Sequence, residues 1–470
     1  MERKQDIAYQ LELFFNGAGN AVHPSSDSEV VSGAEGAKVQ QGGLAGEQRR
    51  ALMHGLMEVV CAEENMQRAY KQVKRNKGVS GIDGMEVGEY AEWYTRNGDT
   101  LRHLLLSGSY MPQGVKTVEI PKPNGGVRRL GIPTVIDRVI QQAIAQVLSP
   151  IYERTFSGCS YGFRLGRSAQ QAVRKASEYV SEGRRIVVDI DLKNFFDVVN
   201  HDRLMHRLSE TIGDKVLLKV IRRYLQSGIM INGVMSQRTE GTPQGSPLSP
   251  LLSNIVLDEL DKELERRGHH FVRYADDCNI FVRSQKAGER VLQSISNFIE
   301  GKLKLKVNTE KSKVCFSRET KFLGYTIQLD GTLTISWASI KRFKEKIRTL
   351  TRRNCGRSLE QIICELNPAL RGWLTYYKEA KCATLVRNLD SWIRRKLRCI
   401  RLKQCKRVYS LQQFLERQGV RKWQSWIFAL SGKGWWRKSG TPQAHEAMGT
   451  VWFNELGLYS LSLNYEALHH

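Results

Sequence analysis

The chain has 470 residues, enough for two to four packed domains. Its 72 lysines and arginines outnumber 48 acids, and a net charge of +24 points to a polyanionic partner such as nucleic acid. No run approaches the ~18 apolar residues of a membrane-spanning helix. The start, MERKQDIAYQLELFF, places acids inside its apolar stretch, which argues against a signal peptide. Nine cysteines are scattered without a Cys-x-x-Cys pair, so a zinc site or disulfide framework is disfavoured and a cytoplasmic setting is expected. Any metal would then be held by oxygen.

In chain order, residues 16–48 are rich in Gly, Ser, Ala and polar side chains and read as a flexible tether. From about Arg50 the pattern is helical up to a break at NKGVSGIDG (76–84). The stretch VEIPKPNGGVRRLGIP carries a Pro-Asn-Gly-Gly hairpin signal between basic flanks. A helix is expected through DRVIQQAIAQVLSPIYERTF, a strand at RRIVVDIDL and a helix at DRLMHRLSETI and beyond. A hairpin follows at Phe271–Val282 (FVRYADDCNIFV), and a last strand at KFLGYTIQL. Strands and helices mix without a regular βαβ repeat, which predicts an α+β fold. Beyond about Asp330 the chain turns helical and basic: residues 341–407 hold 20 Lys/Arg against 5 Asp/Glu. These amphipathic helices are either solvated faces or a surface that grips a nucleic-acid backbone, and the interleaved Trp and Tyr favour the second. The tail from Ser410 repeats the mixture in RKWQSWIF and GKGWWRK.

The chemistry sits in the acids. Strand alternation puts Val187, Asp189 and Asp191 on one face and Ile186, Val188 and Ile190 on the other, toward a core. Asp276 and Asp277 occupy the tip of the hairpin. If both elements join one sheet, Asp191 and Asp276 face each other across a small gap that suits Mg²⁺, a hard cation that takes oxygen ligands. Two such ions would clamp the attacking and leaving oxygens of an in-line phosphoryl displacement.

Asp191-Leu-Lys-Asn-Phe-Phe196, GTPQGSPLSPLLSN (241–254), Tyr274-Ala-Asp-Asp277, LKVNTEKSK (305–313) and Lys321-Phe-Leu-Gly-Tyr325 resemble, in order, the motif series of reverse transcriptases. YGFRLGRS (161–168), NKGVSGIDG and LNPALRGWLTYYKEA (366–380) resemble the group II intron-encoded members in particular. The resemblance implies a right-hand polymerase. Residues 1–50 would be a flexible extension, 51–184 fingers, 185–330 a palm with interleaved fingers elements, 331–409 a helical thumb or maturase domain, and 410–470 a DNA-binding tail. The implied activity is RNA-directed DNA synthesis, with binding of the intron's own RNA to assist splicing and retrohoming. It also implies two Mg²⁺ ions, replaceable by Mn²⁺, and as partners an RNA template, a DNA primer or target and deoxynucleotides, without a membrane. No Cys/His cluster marks an endonuclease, so none is expected.

Carried over residue by residue, the resemblance makes Asp191, Asp276 and Asp277 catalytic, with Asp191, the Leu192 carbonyl, Asp276 and Asp277 as metal ligands. Phe196 matches the aromatic gate that crowds a ribose 2′-hydroxyl. Gln244 would pack near the incoming nucleotide, and Gly245 would let backbone approach closely. Lys122 and Arg128 fit a triphosphate grip, with Arg129 an equal candidate; Lys311 would act on the pyrophosphate side. Nucleic acid would be touched by Arg164, Arg167, Arg371, Trp373, Arg394, Arg395 and Lys396. Tyr161, Phe163 and Arg167 are either a structural turn or template contacts. Trp373, Tyr376 and Tyr377, spaced i, i+3, i+4, serve either core packing or RNA stacking. Leu165 stands where the family usually has Pro, and His201 reads as a satisfied surface histidine. Two rivals remain: a maturase that keeps the fold as a non-catalytic scaffold, and a domesticated reverse transcriptase in defence or repair.

Overall fold

The structure is a computed structural model that describes residues 53–121, 127–231, 234–236, 240–241, 245–354 and 356–469. The expected tether at 16–48, the Pro-Asn-Gly-Gly turn, Lys122 and Gln244 lie outside the described residues. The chain divides into two compact units. One comprises the described residues up to Ala176 with Arg184–Cys315; the other comprises Ser177–Gly183 with 316–469.

In the first unit, helices α1 (Leu56–Val60), α2 (Glu63–Arg75) and α3 (Tyr90–Leu106) precede the antiparallel pair β1 (Val115–Pro121) and β2 (Val127–Ile132). Helix α4 (Val135–Glu153) is the centre of the core. Thr134 caps it by accepting the Asp137 amide, and Val139, Ile140, Ala143, Ile144 and Leu148 are fully sealed. A helix apolar over so much of its surface belongs inside a domain. Its one buried acid, Asp137, receives hydroxyls from Thr134, Tyr110 and Tyr224, and burial still pushes its carboxyl above the usual range. Helix α5 (Ala169–Ser181) leads to β3 (Ile186–Ile190), then α6 (Phe195–Val198), α7 (His201–Ser209) and α8 (Lys215–Gln226). Short strands β4 (Ile229–Ile231) and β5 (Val234–Ser236) extend the first sheet in the order β2-β1-β4-β5.

Helix α9 (Ser249–Arg266) packs beneath the hairpin of β6 (His270–Tyr274) and β7 (Asp277–Val282), and α10 (Gln285–Phe298) and β8 (Lys313–Phe316) follow. The second sheet runs β6-β7-β3-β8, so the strand that leads to Asp191 is central and the hairpin lies beside it. Val188, Ile190, Phe271, Cys278 and Ile280 feed one continuous core with the helices. The opposite face is sealed too at Val187, Val272 and Asn279, and it opens toward its acidic end.

The main segment of the second unit starts at Phe316. The reason is packing: the hairpin of β9 (Tyr325–Ile327) and β10 (Leu333–Ile335) is tied to the helices that follow. Tyr325 donates to the Tyr376 carbonyl at 2.5 Å, and Tyr376 returns a bond to the Leu323 carbonyl at 3.0 Å. The end of α5 joins this unit, with the Ser177 hydroxyl on the Gly331 carbonyl at 2.6 Å. Helices α11 (Trp337–Leu350), α12 (Leu359–Tyr376) and α13 (Ala383–Gln404) match the three expected amphipathic runs. Ser358 opens α12 with a reciprocal capping box to Gln361. Shorter helices α14 (Val408–Arg417), α15 (Lys422–Leu430), α16 (Trp435–Lys438), α17 (Pro442–Ala447), α18 (Thr450–Glu455) and α19 (Leu461–His469) complete the unit.

Helix α19 is docked by a charge. The buried Asp390 carboxylate on α13 accepts the Leu461 and Ser462 amides at 3.0 and 2.8 Å and the hydroxyls of Ser460 and Ser462. It thereby caps the positive end of α19. Asp390→Ala leaves those donors unpaired and should cost about 2–3 kcal/mol. Hydrogen exchange at residues 459–469 should accelerate accordingly, and the melting temperature should fall.

Candidate active site

The pairing of β3 with β7 sets Ile190 opposite Cys278 and Asp189 opposite Asn279. Asp191 directly follows the last paired residue of β3, and Asp277 directly precedes Cys278 on β7. Paired positions share a face, so Asp189, Asp191, Asp277 and Asn279 all point the same way. Strands pair at Cα separations of about 4.5–5.5 Å, which brings the Asp191 segment directly beside the hairpin tip. In β6–β7, Tyr274 pairs with Asp277, leaving Ala275-Asp276 as a two-residue turn. Ala275 has φ +58, Asp276 is exposed, and Asp277 is half-buried. Asn279, two residues after Asp277 on the same strand face, donates to its Oδ1 at 3.3 Å. Burial pushes the Tyr274 phenol and the Cys278 thiol above their usual ranges.

Asp191 is held by the segment after α10. Its carbonyl accepts the Asn308 amide at 2.8 Å, its amide donates to Ser312 Oγ at 3.0 Å, and its Oδ2 accepts Asn308 Nδ2 at 2.9 Å. Lys311 Nζ stands 3.5 Å from the same oxygen. Leu192 and Val307 form an antiparallel bridge whose flanking bonds are Lys193 N to Lys306 O and Asn308 N to Asp191 O. The Leu192 amide and carbonyl therefore turn away from residues 306–308. Carboxylates and a main-chain carbonyl make an oxygen-only donor set, the kind that suits a hard divalent cation. Among the described residues no three His, Cys, Asp or Glu side chains are gathered into a finished cage. A cation here would complete its shell with water or phosphate oxygen, which fits the one or two protein carboxylates that Mg²⁺ usually takes.

Phe195 is buried and Phe196 half-exposed beside it, ring centroids 5.3 Å apart. Gly241, at φ +86, presses on this turn: a Cβ there would meet the Phe196 and Asp197 carbonyls at 2.8 Å. His201 is buried, and its Nε2 bonds the Gly241 carbonyl at 2.7 Å; it is a strut rather than the surface histidine expected from sequence. At Gly245 (φ +108) the close neighbour is the Gly131 carbonyl of β2, which a Cβ would reach at 2.6 Å. Arg128 lies on β2 opposite Ile120, described through its backbone alone.

The expected nucleic-acid contacts sort by burial. Arg164 is a correction: its side chain is sealed, pairs Glu153 at 2.6 Å and donates to the Ser157 and Ser160 carbonyls, so its guanidinium is committed inside the fold. For Trp373, half-buried, the packing alternative has contacts to support it. Its ring stacks on Phe343 with centroids 4.3 Å apart, joining α12 to α11, and its indole nitrogen is buried. Arg167 lies over the buried Tyr161 ring at 5.4 Å. Arg395 stacks on Trp436 at 4.3 Å and donates to its carbonyl at 3.2 Å. Arg371 is exposed beside Tyr459, and Arg394 and Lys396 are half-exposed on α13. Burial, then Arg348 and Arg353, lowers the Lys396 ammonium below its usual range.

Acids on two adjacent strand ends, a two-residue turn and an aromatic side chain just downstream define the palm of a nucleic-acid polymerase. Residues 120–327 match the reverse transcriptase (RNA-dependent DNA polymerase) family, and 340–429 match the group II intron maturase-specific domain. Protein YkfC of Escherichia coli K12 is 31% identical over 299 residues, covering 55% of this chain and 78% of that protein. Group II intron-encoded protein LtrA of Lactococcus lactis subsp. cremoris is 30% identical over 350 residues, covering 60% of this chain and 57% of that protein. The retron Mx65 reverse transcriptase of Myxococcus xanthus is 31% identical over 209 residues, covering 42% and 47%. The chain belongs to the reverse transcriptase family and carries a group II intron maturase domain. The family uses divalent metal ions, and no helix among the described residues is long and apolar enough to cross a membrane.

Asn308, Ser312 and Asn279, which hold the acids, were not among the expected site residues. Only Asn279 left a sequence signal, its two-residue spacing from Asp277. Asn308→Ala should keep the main-chain clamp but free the Asp191 carboxylate. Nucleotide incorporation should slow roughly tenfold, the equivalent of about 1.5 kcal/mol for a bond to a charged group. Single-turnover primer extension beside a thermal melt checks this, and the melt should barely move.

Proposed function

We propose that the chain copies RNA into DNA at the Asp191–Asp276–Asp277 site and binds group II intron RNA to assist splicing and retrohoming. The carrying observation is the register that brings the end of β3 beside the β6–β7 turn. Mg²⁺, with Mn²⁺ as substitute, would be held by Asp191, Asp276, Asp277 and the Leu192 carbonyl and would supply charge neutralisation at the reacting phosphate. The chain's own residues do the positioning. Asn308 and Ser312 fix Asp191, Asn279 steadies Asp277, and Lys311 offers a cation on the same side for an outgoing phosphate. Lys122, Arg128 and Gln244 are proposed for the nucleotide by motif position. Phe196, braced by the sealed Phe195, would exclude a 2′-hydroxyl by bulk.

RNA would meet the solvent-reaching cations of the second unit, Arg371, Arg394 and Lys396, together with Arg167 of the first. The C-terminal helices offer a DNA primer or target a further basic and aromatic surface: Arg421, Lys422, Trp423, Lys433 and Trp436 are exposed.

Asp276→Ala should abolish primer extension on an RNA template while the affinity for intron RNA stays near that of the unmodified chain; undiminished synthesis would refute the polymerase site. An unmodified chain that binds intron RNA yet extends no primer would favour the scaffold reading. Phe196→Ala should raise ribonucleotide use relative to deoxynucleotide use by up to about a hundredfold, the scale at which bulk alone discriminates a hydroxyl. Competition between the two nucleotide types in primer extension reads it directly.

A further inference from the structure

The turn that carries Asp276 is built on a conformation that alanine does not favour. A positive φ at the first central residue and not at the second is the pattern of a II′ hairpin, where glycine is the usual occupant. Such strain persists only where surrounding contacts over-determine it. Here they come from the opposite face of the sheet.

Arg273 is paired with Cys278 and sits on the core side of β6, fully buried. Its Nε and Nη2 fork onto Asp261 at 2.7 and 2.5 Å. Its Nη1 donates to Asn254 Oδ1 at 3.0 Å and to the Ala275 carbonyl at 2.9 Å. Asn254 and Asp261, seven residues apart, share one face of α9 and are themselves sealed. Asn254 Nδ2 then reaches the Gly162 carbonyl at 2.8 Å. Gly162 has no room for a side chain, because a Cβ there would collide with the Ala275 amide nitrogen. The strand-like run before it bonds β6 on both sides of Arg273: Arg273 N to Cys159 O and Tyr161 N to Arg273 O, each 2.9 Å. The Ala275 carbonyl and the Asp276 amide belong to one rigid peptide plane. Holding that oxygen fixes ψ of Ala275 and the origin of the Asp276 side chain together.

We infer that Arg273, oriented by Asp261 and Asn254, is the positioning residue for Asp276: it sets the carboxylate through the Ala275–Asp276 peptide and touches neither substrate nor metal. A lysine keeps the charge opposite Asp261 but lacks the planar fork that serves Asp261, Asn254 and Ala275 at once. The consequence for synthesis rests on the polymerase reading; the consequence for cation binding does not.

The test compares the full chain with Arg273→Lys and Asn254→Ala, each checked for folding by circular dichroism and melting. Asn254→Ala leaves the ion pair intact, so it provides the folded arm if Arg273→Lys does not. Mn²⁺ titration followed by electron paramagnetic resonance should show affinity weakened on the order of tenfold in both variants. kcat should fall by a similar factor, with KM for deoxynucleotide and Kd for primer–template unchanged. A residue that only supports the fold would lower the melting temperature and leave these values, per folded molecule, as they were. Folded variants with unaltered Mn²⁺ affinity and kcat overturn the inference while leaving the polymerase reading standing. An unmodified chain that makes no DNA, yet binds Mn²⁺ more tightly than both variants, overturns the reading and keeps the inference.

Discussion

A guanidinium sealed between a helix and a hairpin governs where the acids of this protein stand. Burying the Arg273–Asp261 pair takes two charges out of water, and such a pair is stable only when every donor and acceptor is met. Asn254 and the Ala275 carbonyl meet both hydrogens of Nη1, so the pair is anchored to α9 at one end and to the turn at the other. Removing one partner of such a pair typically costs about 3–5 kcal/mol. An alanine held at positive φ costs on the order of 1–3 kcal/mol. The anchor therefore outweighs the strain it imposes, and the turn cannot relax without breaking it.

The same sheet thus does opposite things on its two faces. On the core side a charge is buried with its counter-ion; at the acidic end of the other side, the carboxylates lack equivalent burial. Asp191 is 41% exposed, and a hydrogen-bonding asparagine and a lysine at 3.5 Å meet its oxygens. That difference in solvation keeps the acids available to a cation. A carboxylate that was fully paired inside, as Asp261 is, would have nothing left to offer. Gly241 and His201 extend the logic to the gate: one presses its backbone on the Phe196 turn, the other locks the Gly241 carbonyl in place.

How far the sequence foretold this depends on the range of the interaction. The strand through Ile186–Ile190 and the hairpin were legible, because period-two alternation and an acidic tip are local patterns. That β3 lies beside β7 was conditional in sequence and is a fact of the fold. Arg273 was overlooked although parity with Phe271 puts it on the core side, where a charge needs a buried partner. Asn308 and Ser312 carried no such mark, since their partner lies more than a hundred residues away. Arg164 was misread for a physical reason: a basic residue in a glycine-rich loop resembles a phosphate contact until Glu153, eleven residues upstream, is seen to claim it.

Charge counts mislead in the second unit by the same mechanism. Arg398 is buried on α13 and spends its guanidinium on the Ser439 and Met448 carbonyls and on His445. Burial, with Arg394 and Arg395 nearby, pushes it down to about 10. Lys438 is likewise sealed, its ammonium 3.3 Å from the Ala429 carbonyl and close to the Phe428 and Trp435 rings. Arg398 binds the C-terminal segments to α13 and Lys438 binds α16 to α15, so both are spent before any nucleic acid arrives. What remains for a phosphate backbone is the smaller set that keeps its head groups in water. Net charge alone therefore does not say which cations meet a phosphate backbone; exposure does, and it removes Arg138, Arg164, Arg273, Arg398 and Lys438 among the described residues.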